Sequence, residues 1–556
     1  MTPDISRDTF DPLKRFSRVI MQQGRVQLDS DWNEQAEILI HTIRQMFVDL
    51  IGPYAAPSVV DPQNDPANFR IGLLPSSGAT DTTIKDLSVS KGRYYVAGIL
   101  CDSTNFKDDE MTYSKQRFVD VSNDLAQLAQ KFPFLVYLDV WEEPVTALDD
   151  PELREEALGG PDTTARTQVR WAIRAEAIDG ALDRGGTITP PPSGSPPGTP
   201  STKTFKDKPD PSKEFASLPN DSPAWSPESG DSSQRRGWLR ARVSSPGGSD
   251  ASDPCAIAPS AQFRGTENQL YRVEIHSEGE LVFDSANAKV NTPTFKWSRD
   301  NGTVAFIITE VDGSDTPWTV YLQDFGRDSR FSLDVGDWVE IIDREARPVD
   351  GAAASDLLRV TAVDPIDRSV ILERPLVNGA KGVPEVIAYD DDAIAKKKPI
   401  LRRWDQRRGA VDSRDDSGTP LGAIPIDRQR LTMNDLKTSK PVWQDPDDGQ
   451  TWYELEDGVQ VQFQRPLPDT SSVAHFRPGD YWLIPARTAS NGIILWPNDD
   501  ADPHHPAAQP PKGPRHHYAP LAVVIDPESD PGKPEDWVID RRTHINRNNI
   551  VTGPQS

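Results

Sequence analysis

VGDWVEIIDREARPVDGAAASDLLRVTAVDPIDRSVILERPL, residues 335–376, decides the fold class. Three short runs rich in β-branched residues, VGDWVEIID, LLRVTAVD and SVILERPL, are separated by a polar loop and by the turn Asp364-Pro365-Ile366-Asp367. Apolar residues recur at every second position, and Gly, Pro and Asp punctuate the runs, which is strand chemistry. Three strands so closely spaced cannot each reach a distant core. They predict a small barrel or sandwich.

The same manner extends in both directions. RYYVAGILC (93–101) reads as a strand with Gly98 at a bulge or turn, and FLVYLDVW (134–141) is a short run of β-formers. TQVRWAIRAEA (167–177) alternates, with Val169, Trp171, Ile173 and Ala175 on one face. TFKWSRDNGTVAFII (294–308) reads as a hairpin turning at Asn301-Gly302, with Phe295, Trp297, Val304 and Phe306 sharing one face. YELEDGVQVQF, GDYWLIPAR, GIILWP and YAPLAVVI continue the pattern. VGDW at 335 and PGDY at 478 both set Gly-Asp before an aromatic at a strand start, a faint internal echo.

One helix stands apart. In DSDWNEQAEILIHTIRQMFVDLIGP the apolar residues Trp32, Ala36, Leu39, Ile43, Met46, Phe47 and Leu50 follow helical spacing. Asp31 and Glu34 suggest the capping box, and Gly52-Pro53 the stop. The preferred expectation is that this apolar face packs on its own domain, with docking to a partner as the alternative.

At 556 residues the chain is too long for one core. The segments read as an N-terminal helix plus β module (1–185), a linker rich in Pro, Ser and Gly (186–235), a β module (236–325), a small barrel-like module (326–380) and a C-terminal β module with a loop-rich tail (381–556). The linker cannot bury enough apolar surface to order itself, so a disordered insertion is expected. The fold class is therefore mainly β, with several sandwich or small-barrel modules, one N-terminal amphipathic helix and a disordered proline-rich insertion.

Net charge is −25, which opposes nucleic acid and anionic membranes as partners and suits solubility or a basic neighbour. No apolar run follows a basic start and none reaches the length of a membrane span, so synthesis in the cytoplasm without a signal peptide or membrane insertion is expected. The two cysteines, Cys101 and Cys255, are too few for a disulfide framework, and buried thiols are preferred to a bridge.

Candidate chemistry is thin. His504-His505 and His516-His517 invite a metal, but neighbouring side chains on an extended segment point apart. The acidic stretches 444–458 and 412–418 lack calcium-loop spacing and read as solvated turns. Asp149, Asp150, Glu152, Glu155 and Glu156 could supply the paired carboxylates of glycoside hydrolysis, but hydrated loop charges are the simpler reading. Trp141, Trp171, Trp297, Trp338 and Trp482 sit in strand patterns and suit cores better than sugar platforms. In FRGTENQLYRVEIH (263–276), Tyr271, Val273 and Ile275 share one strand face and Arg272, Glu274 and His276 the other, while Glu267, Asn268 and Gln269 suit loop hydrogen bonds. That second face meets either solvent or a neighbouring subunit. No catalytic, cofactor-binding or metal-ligating residue is assigned, and no cofactor is expected.

FDPLKRFSRVIMQQGRVQLDSDWNEQ (10–35), YLDVWEEPVTALDDPELREEALGGPDTTARTQVRW (137–171), and FRGTENQLYRVEIH with TFKWSRDNGTVAF carry a resemblance, joined by GDYWLIPAR and RHHYAPLAVV. Together they resemble a domain of unknown function encoded in bacterial contractile injection system and phage-tail-like gene clusters. The middle stretch also resembles a segment of phage tail proteins. The resemblance implies a non-enzymatic structural component, baseplate-associated or fibre-like, with other particle subunits as partners, a homo-oligomeric state, and association with a particle that can leave the cell. A glycan- or receptor-binding module is the alternative that exposed tryptophans would favour. A cell-envelope polysaccharide hydrolase is the alternative that two carboxylates converging in a cleft would favour.

Overall fold

A computed structural model describes residues 2–57, 68–75, 84–107, 110–116, 134–177, 236–244, 261–282, 292–312, 318–342, 356–373, 398–406, 422–426, 451–464, 473–489, 492–499, 505–513, 515–524 and 537–545, with isolated short segments between them. The architecture is mainly β, with one long helix at the N-terminus and a closed six-stranded barrel.

The barrel is built in the order Ala305–Asp312, Thr319–Leu322, Ser369–Leu372, Leu357–Asp364, Trp338–Ile342 and Ile400–Trp404. All its neighbouring strands run antiparallel. The three runs of 335–376 are thus half of it, and closure removes the sheet edges that three strands alone would leave. Alternation does the rest. Val339, Ile341 and Leu401 point into a core with Phe306, Val320 and Leu358, while Trp338, Glu340, Arg402 and Trp404 face outward.

Against the barrel lies a five-stranded sheet, in the order Ile424–Pro425, Thr294–Ser298, Gln269–Ser277, Tyr481–Arg487 and Ile493–Ile494. Its inner face carries Tyr271, Val273, Ile275, Phe295, Trp297, Trp482 and Ile484 into a core shared with Leu239, Val461 and Phe463 of a second sheet. That sheet runs Trp238–Val243, Val459–Gln464, Thr451–Glu454, Val442–Gln444, so the pair forms a sandwich. A third core joins the sheet Val538–Asp540, His517–Val524, Phe134–Val145, Arg166–Ala177 to the small sheet Tyr54–Ala55, Arg93–Val96, Ile99–Asp102. Strands distant in sequence pair throughout, as in Phe134–Val145 with His517–Val524.

Two expectations need correcting at the level of the backbone. Asn301 and Gly302 do form a turn, with φ of 54° and 66°. However, Thr294–Ser298 joins the five-stranded sheet and Ala305–Asp312 the barrel, so the chain crosses between modules there instead of making a hairpin. Phe295 and Trp297 enter one core, and Val304 and Phe306 another. The helix spans Asp29–Ile51, so it starts before the anticipated cap. Asp31 reaches back to accept from the Leu28 amide at 3.1 Å, and Asp29 accepts from the Ser6 amide and hydroxyl at 2.8 and 2.7 Å.

Gly98 lies in the turn between Arg93–Val96 and Ile99–Asp102, with φ +76°. Cys101 is a free, buried thiol whose pKa burial raises. Cys255, His504, residues 412–418 and most of 186–235 lie outside the described residues. Within that last stretch, Ile188–Thr189 pairs with Thr202–Lys203 and with Ala181–Leu182.

Candidate functional site

The polar face of the strand Gln269–Ser277 leads to a buried charge cluster. Arg272 and Glu274 are buried, as are Lys296, Glu340 and Arg402. Glu274 stands opposite Lys296 in the five-stranded sheet, and Glu340 opposite Arg402 in the barrel wall. Lys296 Nζ bridges the two modules, 2.6 Å from Glu340 Oε2 and 3.4 Å from Glu274 Oε1. Trp404 Nε1 donates to Glu340 Oε2 at 2.9 Å, and the Lys296 ammonium lies 4.4 Å from the Trp404 ring centroid. Arg272 Nε donates to Glu274 Oε2 at 2.6 Å, and its guanidinium covers the Tyr481 ring at 3.6 Å. The face predicted to meet solvent or a neighbouring subunit is therefore covered by this chain's own barrel.

The electrostatics suit a cross-link. Burial works to raise the Glu274 pKa, but Arg272, Lys296 and Arg402 outweigh it and hold it at about 2. Burial likewise opposes ionisation of Glu340, and Lys296 with His276 keeps its pKa lowered. Burial pushes His276 down to about 4, with the Lys296 charge adding to the effect, and its Nδ1 has no hydrogen-bond partner among the described residues. Two carboxylates locked in the ionised state offer no proton to a substrate near neutral pH.

A second cluster lies on the opposite face of the same strand. Tyr271 Oη donates to Glu456 Oε1 at 3.1 Å. Arg299 holds Glu456 Oε2 at 2.8 Å and Asp405 Oδ1 at 3.8 Å. Burial, then the charges of Asp405 and Asp457, raise Glu456 to about 7 against the pull of Arg299. Glu456 comes from the acidic stretch read as a solvated turn. It is instead tied into the sheet by a tyrosine and an arginine remote in sequence.

The other candidates fall into structural positions. Asp149 Oδ2 accepts from the Thr146 amide at 3.0 Å, Asp150 Oδ1 from the Glu152 amide at 3.3 Å, and Glu155 Oε1 from the Ala157 amide at 3.0 Å. They brace the short 3-10 turns Pro151–Leu153 and Glu156–Leu158. His516 Nδ1 lies 2.6 Å from Asp139 Oδ1, stacked on Trp141, while burial and the cations Arg44 and Arg515 lower the His517 pKa. Among the described residues no three His, Cys, Asp or Glu side chains are placed to hold a metal ion. Trp141, Trp171, Trp297, Trp338 and Trp482 are all buried. Glu267 pairs with Arg330, and Asn268 Oδ1 accepts from the Thr488 amide at 3.0 Å, so both hold the loop.

The N-terminal helix is different. Arg44 makes a two-pronged bond to Glu142 at 2.8 and 2.7 Å, Phe47 meets Tyr95, and Ile38 is buried. That is the face turned to the body. Trp32, Leu39, Ile43, Met46 and Leu50 are between 53% and 70% exposed, and Ala36 is exposed with them. The expectation that these residues pack on their own domain is thus overturned. Before the helix, Leu13, Phe16, Ile20, Met21 and Val26 are exposed on an arm tied to the body at Thr2, Pro3, Ser6 and Asp8. Single exposed apolar residues are ordinary on a protein surface; here they form a continuous stripe along a helix and its leading arm.

The chain belongs to a family of unknown function, DUF6519, whose model matches residues 1–184, 233–416 and 437–529. The unmatched stretch after 184 falls in the proline-rich insertion. No curated protein and no solved structure matches the chain.

Proposed function

We propose that this protein is a non-catalytic structural component of a contractile, tail-like particle, docked through its N-terminal helix and arm. The exposed apolar stripe of Asp29–Ile51 carries the proposal, because a contiguous apolar surface of this kind gains free energy when another chain covers it. Of the carboxylates that a hydrolase would need, Asp149, Asp150 and Glu155 are engaged as turn braces, which supports the same reading. The five strand tryptophans are buried and offer no sugar platform, and the exposed Trp32 lies within the apolar helix stripe. Placement in a tail-like particle rests on the resemblance of the stretches at 10–35, 137–171 and 263–276. On this reading the chain is made in the cytoplasm, its neighbours are other particle subunits, and its acidic surface meets basic ones.

The test is purification of intact particles from the source cells followed by quantitative mass spectrometry. Recovery of the chain at a fixed ratio to the other subunits supports the proposal. Recovery only as free protein in the cell lysate rejects it.

A further inference from the structure

The geometry points to a second copy of this chain as the partner of the exposed helix, paired through a coiled-coil seam. This deepens the structural-component reading by naming who covers the docking face. Trp32, Ala36, Leu39, Ile43, Met46 and Leu50 are separated by four, three, four, three and four residues. That is the alternation of a and d positions in a heptad, sustained from Trp32 to Leu50; the preceding a position is Asp29, whose carboxylate is held by Ser6. A stripe of that period is complementary to another helix, because its knobs need the holes between side chains on a facing helix.

No other element among the described residues supplies that helix. Among the described residues Asp29–Ile51 is the one helix longer than three residues. A second copy brings an identical stripe, and identical patches meet across a symmetry axis without any further design.

A chain of net charge −25 should resist pairing with itself, but the charges are kept away from this seam. The flanking e and g positions are Asn33, Gln35, Ile40, Thr42, Phe47 and Asp49, with a single charge among them. The acids Asp31, Glu34 and Glu37 lie off the seam. The arm completes the complementarity. From Pro12 to Leu28 it carries Lys14, Arg15, Arg18 and Arg25 and no acid, a charge of +4. The helix carries Asp29, Asp31, Glu34, Glu37 and Asp49 against Arg44, a charge of −4. The arm lies along its own helix, through Thr9 to Glu34, the Val19 amide to Gln35 and Phe10 to His41, so within each copy its basic residues offset the acidic flank that would otherwise oppose pairing.

Sedimentation velocity on the purified full-length chain, over a wide concentration range, tests the pairing. The wild type is expected to self-associate, and the double variant Leu39→Glu/Ile43→Glu to weaken that association by at least a hundredfold. Both residues are already exposed, so far-UV circular dichroism, and the thermal midpoint at dilutions where the wild type is monomeric, should be unchanged. Arg15→Glu/Arg18→Glu should weaken association by a smaller factor that shrinks as salt is raised. A wild type that stays monomeric at every concentration, or a Leu39→Glu/Ile43→Glu variant that assembles as well as the wild type, overturns the inference. Monomeric protein that is still found at fixed ratio in purified particles would overturn the self-pairing and leave the component reading standing. Self-association without any presence in particles would do the reverse.

Discussion

Lys296 sits where a sheet and a barrel touch, and its ammonium lies between the carboxylates of Glu274 and Glu340, 2.6 Å from the second. Removing it takes the bridging charge from two buried acids. Lys296→Met should therefore destabilise the fold by about 3–5 kcal/mol, read by chemical denaturation. Adding Glu340→Leu to it should recover part of that loss, because one of the two under-compensated charges leaves with it. His276 gives the cluster a pH signature. Its imidazole is surrounded by Lys296, Glu340 and Glu274, and its pKa falls from 6.5 to about 4. The folded state keeps it neutral while the unfolded state takes up a proton below 6.5, so stability from this group is present above 6.5 and lost as pH falls toward 4. His276→Gln should flatten that limb of the stability-versus-pH curve by on the order of 1–3 kcal/mol at about pH 4. An unchanged limb would mean that another group drives acid unfolding. The alternation of residues 271–276 was legible in the sequence. That its polar side is sealed by Glu340 and Arg402 was not, because a solvated and a buried polar face have the same period.

The helix Asp29–Ile51 rests on the turn at Gly98, where a Cβ added to the glycine would lie 2.7 Å from Arg44 Cα. Gly98 also holds φ at +76°, which side chains tolerate poorly. Gly98→Ala should cost about 1–2 kcal/mol and loosen the helix from the body, measured as faster amide exchange across 38–51 with the barrel unaffected. Sequence periodicity located this helix and its apolar stripe correctly. It assigned the stripe to the wrong side because a hydrophobic face says only that something covers it. The face that holds the helix down does so with Ile38, the Arg44–Glu142 pair and Phe47, the one residue of the predicted stripe that does pack on the body, too few apolar positions to outweigh the exposed stripe in the periodicity. Likewise Asn301-Gly302 announced a turn, and local chemistry carried no information that the two flanking strands would part into different modules.

At the scale of the whole molecule, strands far apart in sequence are interleaved, and ion pairs, not apolar contacts alone, lock one module to the next. The cores are sealed, while the arm and the helix carry exposed apolar residues, the face we propose a neighbour covers. The central claim is that this face is covered when the protein works. Hydroxyl-radical footprinting of the chain in particles purified from source cells, beside the isolated chain at high dilution, tests it most directly, since Trp32 and Met46 are exposed, reactive and part of the seam. Strong protection of both residues in the particle, with the chain at fixed stoichiometry, is the predicted result. Equal reactivity of Trp32 and Met46 in the two samples, or the absence of the chain from the particles, would contradict it.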